Sequence, residues 1–239
     1  TQDAIDYCTG TCIGMTNCSN VEVHSQSFLR SGGGVRIEDS TDCWIHNTYS
    51  NAVLAPIAVI SYTGNTGVTH DTSRITVSEN ISYGSGDDFI VCLIQSGAYG
   101  LRDIVVKDNL CDGSAFVVAA SGTIRVGRYG GSGSAYNVTI SGNKMVGMNS
   151  HCFYLHNCDG LVVSNNTVVG YGLYANGTAF TVGVAGDPVV RATISGNRVV
   201  GPFNFPSTAL YVAETTDAIV CDNYLVGSHN GIAGSVLDN

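Results

Sequence analysis

Charge is scarce in this 239-residue chain: Asp, Glu, Lys and Arg together make up 12%, about half the usual share. No window carries the i, i+3, i+4, i+7 apolar stripe of an amphipathic helix, which argues against a helical domain. No apolar run approaches the roughly 18 residues that would suggest a membrane-spanning helix, so no membrane insertion is expected. The 10 basic residues are scattered and the formal net charge is −9. A nucleic-acid partner needs clustered cations to displace counterions from phosphate, and is therefore disfavoured. The chain opens Thr1-Gln2-Asp3 with neither Met nor a charged-then-apolar leader, as in a processed product or a piece of something longer.

Two residue types are abundant, with 30 Gly and 9 Cys. Glycine at this level suits many short strands joined by tight turns. Cys92, Cys111, Cys152 and Cys221 fall in or beside predicted strands, where a thiol packs as a small hydrophobe. Cys8, Cys12 and Cys18 lack the CxxC spacing and the nearby His of a metal site, so neither metal nor cofactor is expected.

The chain is repetitive. Its unit is apolar-x-apolar-x-x-Asn followed by an apolar pair and Gly, cleanest in Val138-Thr139-Ile140-Ser141-Gly142-Asn143-Lys144-Met145-Val146-Gly147. Further copies centre on Asn80, Asn109, Asn166, Asn197 and Asn223, with Thr48 and Gln26 at the Asn position of two degenerate ones. Each unit holds a second strand of period-two alternation: Val35 and Ile37, Ile57 and Val59, Phe89 and Val91, Phe116 and Val118, Phe153 and Leu155, Phe180 and Val182, Leu210 and Val212. Asn positions recur about 22 to 34 residues apart, so a short rung carries loop insertions of varied length. Because Asn and Gly recur in register, the pattern predicts stacked coils rather than a sandwich of hairpins. The fold class expected is all-β: a single-stranded right-handed parallel β-helix of about eight coils, one domain over 1–239 with an irregular lead-in over 1–17. Stacking about 4.8 Å apart would align Asn143, Asn166 and Asn197 in a hydrogen-bonded ladder.

On this repeat, over roughly residues 18 to 236, the chain resembles the pectin-lyase-like β-helix superfamily of pectate lyases, polygalacturonases, alginate epimerases and bacteriophage tailspikes. Gly86-Asp87-Asp88 is similar to the polygalacturonase signature, whose acids perform inverting hydrolysis of glycosidic bonds. The family's third Asp falls at Ala55-Pro56, its His near Ala115, and its Arg-Ile-Lys finds only Arg36-Ile37-Glu38. Asp87 and Asp88 carry over as catalytic candidates, against the alternative of a turn-capping pair. His70 and Asp71 resemble the loop His and acid of alginate epimerases, although the Asp-Pro-His-Glu motif of those enzymes is absent.

Loops clustered on one side of a rod form the walls of a groove. Inserts are read after the second strand at Tyr62 to Ser73, Gln95 to Arg102 and Ala120 to Tyr136, and before it at Tyr171 to Gly177 and Pro202 to Ser207. The groove floor is then the outward face of the second strand, where Asp88, Ile90 and Cys92 are expected. Arg125, Arg128 and Tyr129 in the longest insert are candidates to clamp an acidic sugar. Tyr154, His156 and Tyr211 would offer rings for sugars to stack on. His24 and His46 stand on neighbouring coils, without a third metal ligand in register. An outward apolar stripe of Ala58, Ile60, Ile90, Cys92, Val117 and Ala119 calls for cover by loops or by a partner chain. The tailspike resemblance implies a homotrimer, a polysaccharide partner and a place on a virion tail; other members would be secreted or held at a cell surface. The functions kept open are a depolymerase hydrolysing bacterial surface polysaccharide, a lyase or epimerase, and a non-catalytic glycan-binding adhesin.

Overall fold

The computed structural model describes residues 4–6, 9–62, 70–84, 88–114, 124–130, 132–148, 151–171, 177–201, 207–227 and 230–237. Every interstrand pairing is parallel and joins strands three apart in chain order, apart from one register shared across a corner by Thr208–Thr216. This is a right-handed parallel β-helix. Counting from Thr11–Thr16, the fourth coil shows the pattern: Ile90–Ser96 in sheet 1, Leu101–Lys107 in sheet 2, Leu110–Asp112 in sheet 3. Among the described residues nine short strands form one ladder, sheet 3, and the other seventeen form a strip that bends at each corner into sheets 1 and 2.

Inside, like residues stack. Val35, Ile57, Ile90, Ile124, Phe153, Phe180 and Leu210 succeed one another in sheet 1, with the Phe153 and Phe180 rings parallel at 4.4 Å. Cys92, Cys111, Cys152 and Cys158 lie in this core, and burial pushes the Cys92 thiol up to about 12. They are packing residues.

The Asn ladder is present and saturated. Asn143 Oδ1 accepts from the backbone N–H and the side-chain Nδ2 of Asn109, at 3.1 and 2.9 Å. Its own Nδ2 donates to Asn166 Oδ1 and to Val106 O, both at 3.0 Å. The same bonds link Asn80, Asn109, Asn143, Asn166, Asn197 and Asn223 in turn, across gaps of 29, 34, 23, 31 and 26 residues. Thr48 starts the ladder by donating its N–H and its hydroxyl to Asn80. Gln26 stands outside it, folded back onto His24 O. The residue before each rung sits in the left-handed region: Asn47, Glu79, Asp108, Gly142, Asn165, Gly196 and Asp222. Asn, Asp and Gly tolerate that conformation best, which explains the Gly-Asn and Asn-Asn pairs of the repeat.

Two expectations are corrected. Ile90 and Cys92, not Phe89 and Val91, continue the inward file of Ile57 and Val59. The alternation over Phe89 to Leu93 is apolar at every position, so period two alone does not fix the phase; hydrogen bonding to the preceding coil does. Ile60 and Val91 do face outward, and they are only 4% and 9% exposed within the single chain. The fifth strand of sheet 1 is Ile124–Arg128, inside the segment expected to be a loop. Phe116, Val117, Val118 and Ala119 lie outside the described residues.

Candidate functional site

On the outward face of sheet 1, register fixes one file as Gly14, Arg36, Ala58, Val91, Arg125, Tyr154, Thr181, Tyr211. Polar groups gather at coils four to seven. The corrected phase sets Asp88 level with Ala55 rather than Pro56, at the start of its strand. Asp88 is 4% exposed, and its Oδ2 is 3.8 Å from Arg125 Nη1. The Arg125 guanidinium lies 5.5 Å from the Tyr154 ring centroid. Its Nε–H is buried with no acceptor among the described residues. Tyr154 meets His156 edge to face at 5.2 Å and His151 at 5.9 Å.

A carboxylate from the seventh coil closes the group. Asp187 ends a turn that begins at Val184, and the two residues pair through their backbones. Its Oδ1 accepts from Arg128 and its Oδ2 is 3.4 Å from His156 Nδ1. Arg128 also donates to Gly186 O at 3.2 Å. Gly127 makes room for this arrangement, because a Cβ there would stand 2.5 Å from His156 Nε2. Burial lowers the pKa of His156; Asp187 opposes that shift, while Arg125 and Arg128 add to it. Burial likewise lowers His151. Both imidazoles are therefore neutral at neutral pH.

A stability effect follows. The unfolded chain binds these two protons near the ordinary value of 6.5, whereas the folded chain binds them only at lower pH. Stability is thus level above about pH 6.5 and falls below it until the folded-state values are passed. Thermal midpoints are expected to drop between about pH 7 and pH 5, and His156→Gln should flatten that drop. An unchanged slope in the variant would show that His156 contributes nothing to it.

The sequence candidates fall into three groups. Asp88, Arg125, Arg128, Tyr154 and His156 come together, with Tyr211 two coils beyond Tyr154 on the same file and Tyr129 exposed at the corner after Arg128. Both arginines stand in or at the end of a strand, which holds them more rigidly than a loop. His70 and Asp71 make no contact with this group among the described residues; they stand at the corner just before Thr72–Ser78. His70 Nδ1 meets Asp71 O at 3.0 Å, and Asp71 accepts from Gly100 N–H at 2.8 Å and from Arg102 Nε at 3.2 Å. That carboxylate staples a corner. Asp87 lies outside the described residues. Sequence reading missed Asp187, whose partner Arg128 is 59 residues away and which belongs to no repeat position. Only the stacking of coils brings the two together.

His24 and His46 do stack, with centroids 5.5 Å apart. Both His46 nitrogens are engaged, Nε2 by Glu22 at 2.7 Å and Nδ1 by Asn47 at 2.8 Å. Among the described residues no group of three metal-ligating side chains occurs.

No protein-family model matches the sequence, and a search of curated proteins finds no match. Solved structures do match in shape. A variant of the tailspike protein of E. coli bacteriophage HK620, in complex with a pentasaccharide, is similar to 93% of this chain at a TM-score of 0.57 and 13% identity. The chain spans 42% of that tailspike. The A-module of the mannuronan C-5 epimerase AlgE4 of Azotobacter vinelandii is similar over 98% of this chain and 80% of its own length, at 11% identity and a TM-score of 0.30. At these identities the likeness concerns the fold, and the fold shared is the parallel β-helix.

Proposed function

We propose that this chain is the β-helical body of a protein that binds a polysaccharide across the outward face of sheet 1 and cleaves it by hydrolysis beside Asp88. The observation that carries the reading is the gathering of Asp88, Arg125, Tyr154, His156, Arg128 and Asp187 on one face of the helix. Withdrawing two carboxylates and two guanidiniums partly or fully from water is a poor way to gain stability, so a role in binding accounts for them better. Tyr154 and Tyr211 offer rings to sugar faces, and Arg125 offers unspent donors to hydroxyls or a carboxylate. In the hydrolytic scheme one carboxylate of the Asp87 and Asp88 pair takes a proton from the attacking water. The other protonates the departing glycosidic oxygen. The solved tailspike that shares the fold is itself bound to a pentasaccharide, which supports a glycan as ligand. The proposal extends to a homotrimer acting at a bacterial surface, as part of a phage tail or as a secreted protein.

A second reading has one observation in its favour. Neutral His156 together with Arg125 is also the equipment for proton abstraction from an acidic sugar, the arginine offsetting the sugar carboxylate. Digestion of bacterial capsule and lipopolysaccharide, followed by chain-length analysis and ultraviolet spectra of the products, tests both. Shortened chains with saturated ends support hydrolysis; unsaturated ends support the second reading. Binding without any shortening makes the protein an adhesin.

A further inference from the structure

Away from the sheet 1 face, the corner between sheets 2 and 3 holds a second cluster that the proposed reaction does not use. The Asn ladder stops at Thr48, because Gln26 turns back on its own strand. A notch of about 480 Å³ opens there, lined by Ser27, Asn47, Thr48, Tyr49, Glu79 and Ile81. That volume lies in the range of small-molecule sites. Beside it Tyr83 is 39% exposed, its ring 5.9 Å from that of Tyr49, and Ile81 is 38% exposed. Exposed Tyr83 and Ile81, with half-buried Tyr49 beside them on the neighbouring coil, leave apolar surface in water that a ligand could cover.

We infer that this notch is a second glycan-binding site, taking an uncharged sugar unit through ring stacking on Tyr49 and hydroxyl contacts to Glu79 and Asn47. The chemistry of the lining selects that class. Glu79 is the one ionisable group among the lining residues apart from the tyrosine phenol, and it repels anions. One carboxylate is too few for a metal ion. What remains is a ligand with an apolar face for the tyrosine and adjacent hydroxyls that donate to a carboxylate, which describes a sugar ring. The ligand class draws on the glycan reading above, but the site shares no residue with the Asp88 cluster. A polymer held at both places would gain avidity without a new contact.

Trp44 provides the measurement. It is the single tryptophan of the chain, and its ring stacks at 3.8 Å on His46, whose Nδ1 is held by Asn47 of the notch. Occupation of the notch should therefore alter tryptophan fluorescence. Titration of the whole protein with maltotriose, chitotriose and mannotriose is expected to give a saturable change with at least one. Tyr49→Ala and the isosteric Glu79→Gln should each weaken it by about tenfold, the size of one lost stacking or charge-assisted contact. Arg125→Met should leave it unchanged. No saturable change with any of the three probes, or affinity untouched by Glu79→Gln, overturns the site. Loss of polymer cleavage leaves it standing if trisaccharide binding still follows Glu79, and trisaccharide binding that follows Arg125 instead sinks this inference alone.

Discussion

Asn143→Leu is expected to lower the unfolding free energy by about 3–5 kcal/mol, a large share of the roughly 5–15 kcal/mol available to a domain. Leucine matches the shape of Asn but removes four hydrogen bonds at once. Val106 O, the Asn109 N–H and the Asn109 Nδ2 then lose a partner inside a fully buried corner, at about 1–3 kcal/mol each. The apolar transfer of leucine offsets about 1–2 kcal/mol of that. The same exchange at Asn223, which is half-buried, should cost less than half as much, since water can reach the freed groups. Urea titrations followed by circular dichroism measure both. A solenoid is stable through its neighbour interfaces, so the Asn143 variant should also broaden the transition as the two halves uncouple. Equal, small losses at Asn143 and Asn223 would mean that the ladder is incidental to stability.

The ladder was legible because a buried amide stacked on itself must be the same residue in each coil, so periodicity survives divergence elsewhere. Asn143 and Asn166 could be aligned from sequence for that reason, and so could Val35, Ile57, Phe153 and Phe180 of the inward file. In the fourth coil the sequence pattern points to a phase wrong by one residue because Phe89, Ile90, Val91, Cys92 and Leu93 are all apolar. Alternation carries no information where both faces of a strand are covered. The fifth coil is obscured for a related reason. Ile124-Arg125-Val126-Gly127-Arg128 reads as a charged, Gly-containing loop, yet its arginines are compensated by Asp88 from the coil before and Asp187 from two coils after. A strand whose outward face carries buried charge is disguised in one dimension. Those same compensating contacts assemble the candidate site, so the part of the fold hardest to read coincides with the part proposed to act.

Asp88→Asn is the second substitution with a large expected effect, and it separates two roles for that carboxylate. If Asp88 moves a proton, the isosteric amide should depress cleavage by about 10²–10⁴-fold in kcat while binding of the polymer stays within a few-fold. If Asp88 only orients Arg125, the loss should fall on KM, and Arg125→Met should reproduce it. The double variant tells these apart without assumptions about either single one. Two residues acting through one contact lose together what each loses alone, whereas independent roles multiply. Folding must be checked in each case, because neutralising Asp88 removes the nearest anion from a guanidinium whose side chain is 21% exposed. A stability loss of about 1–3 kcal/mol is expected there, tolerable below the thermal midpoint. Undiminished kcat in Asp88→Asn would end the hydrolytic proposal at this residue. It would turn attention to the neutral imidazole of His156, where Gly127→Ala, by driving a methyl group into the ring position, should then abolish turnover.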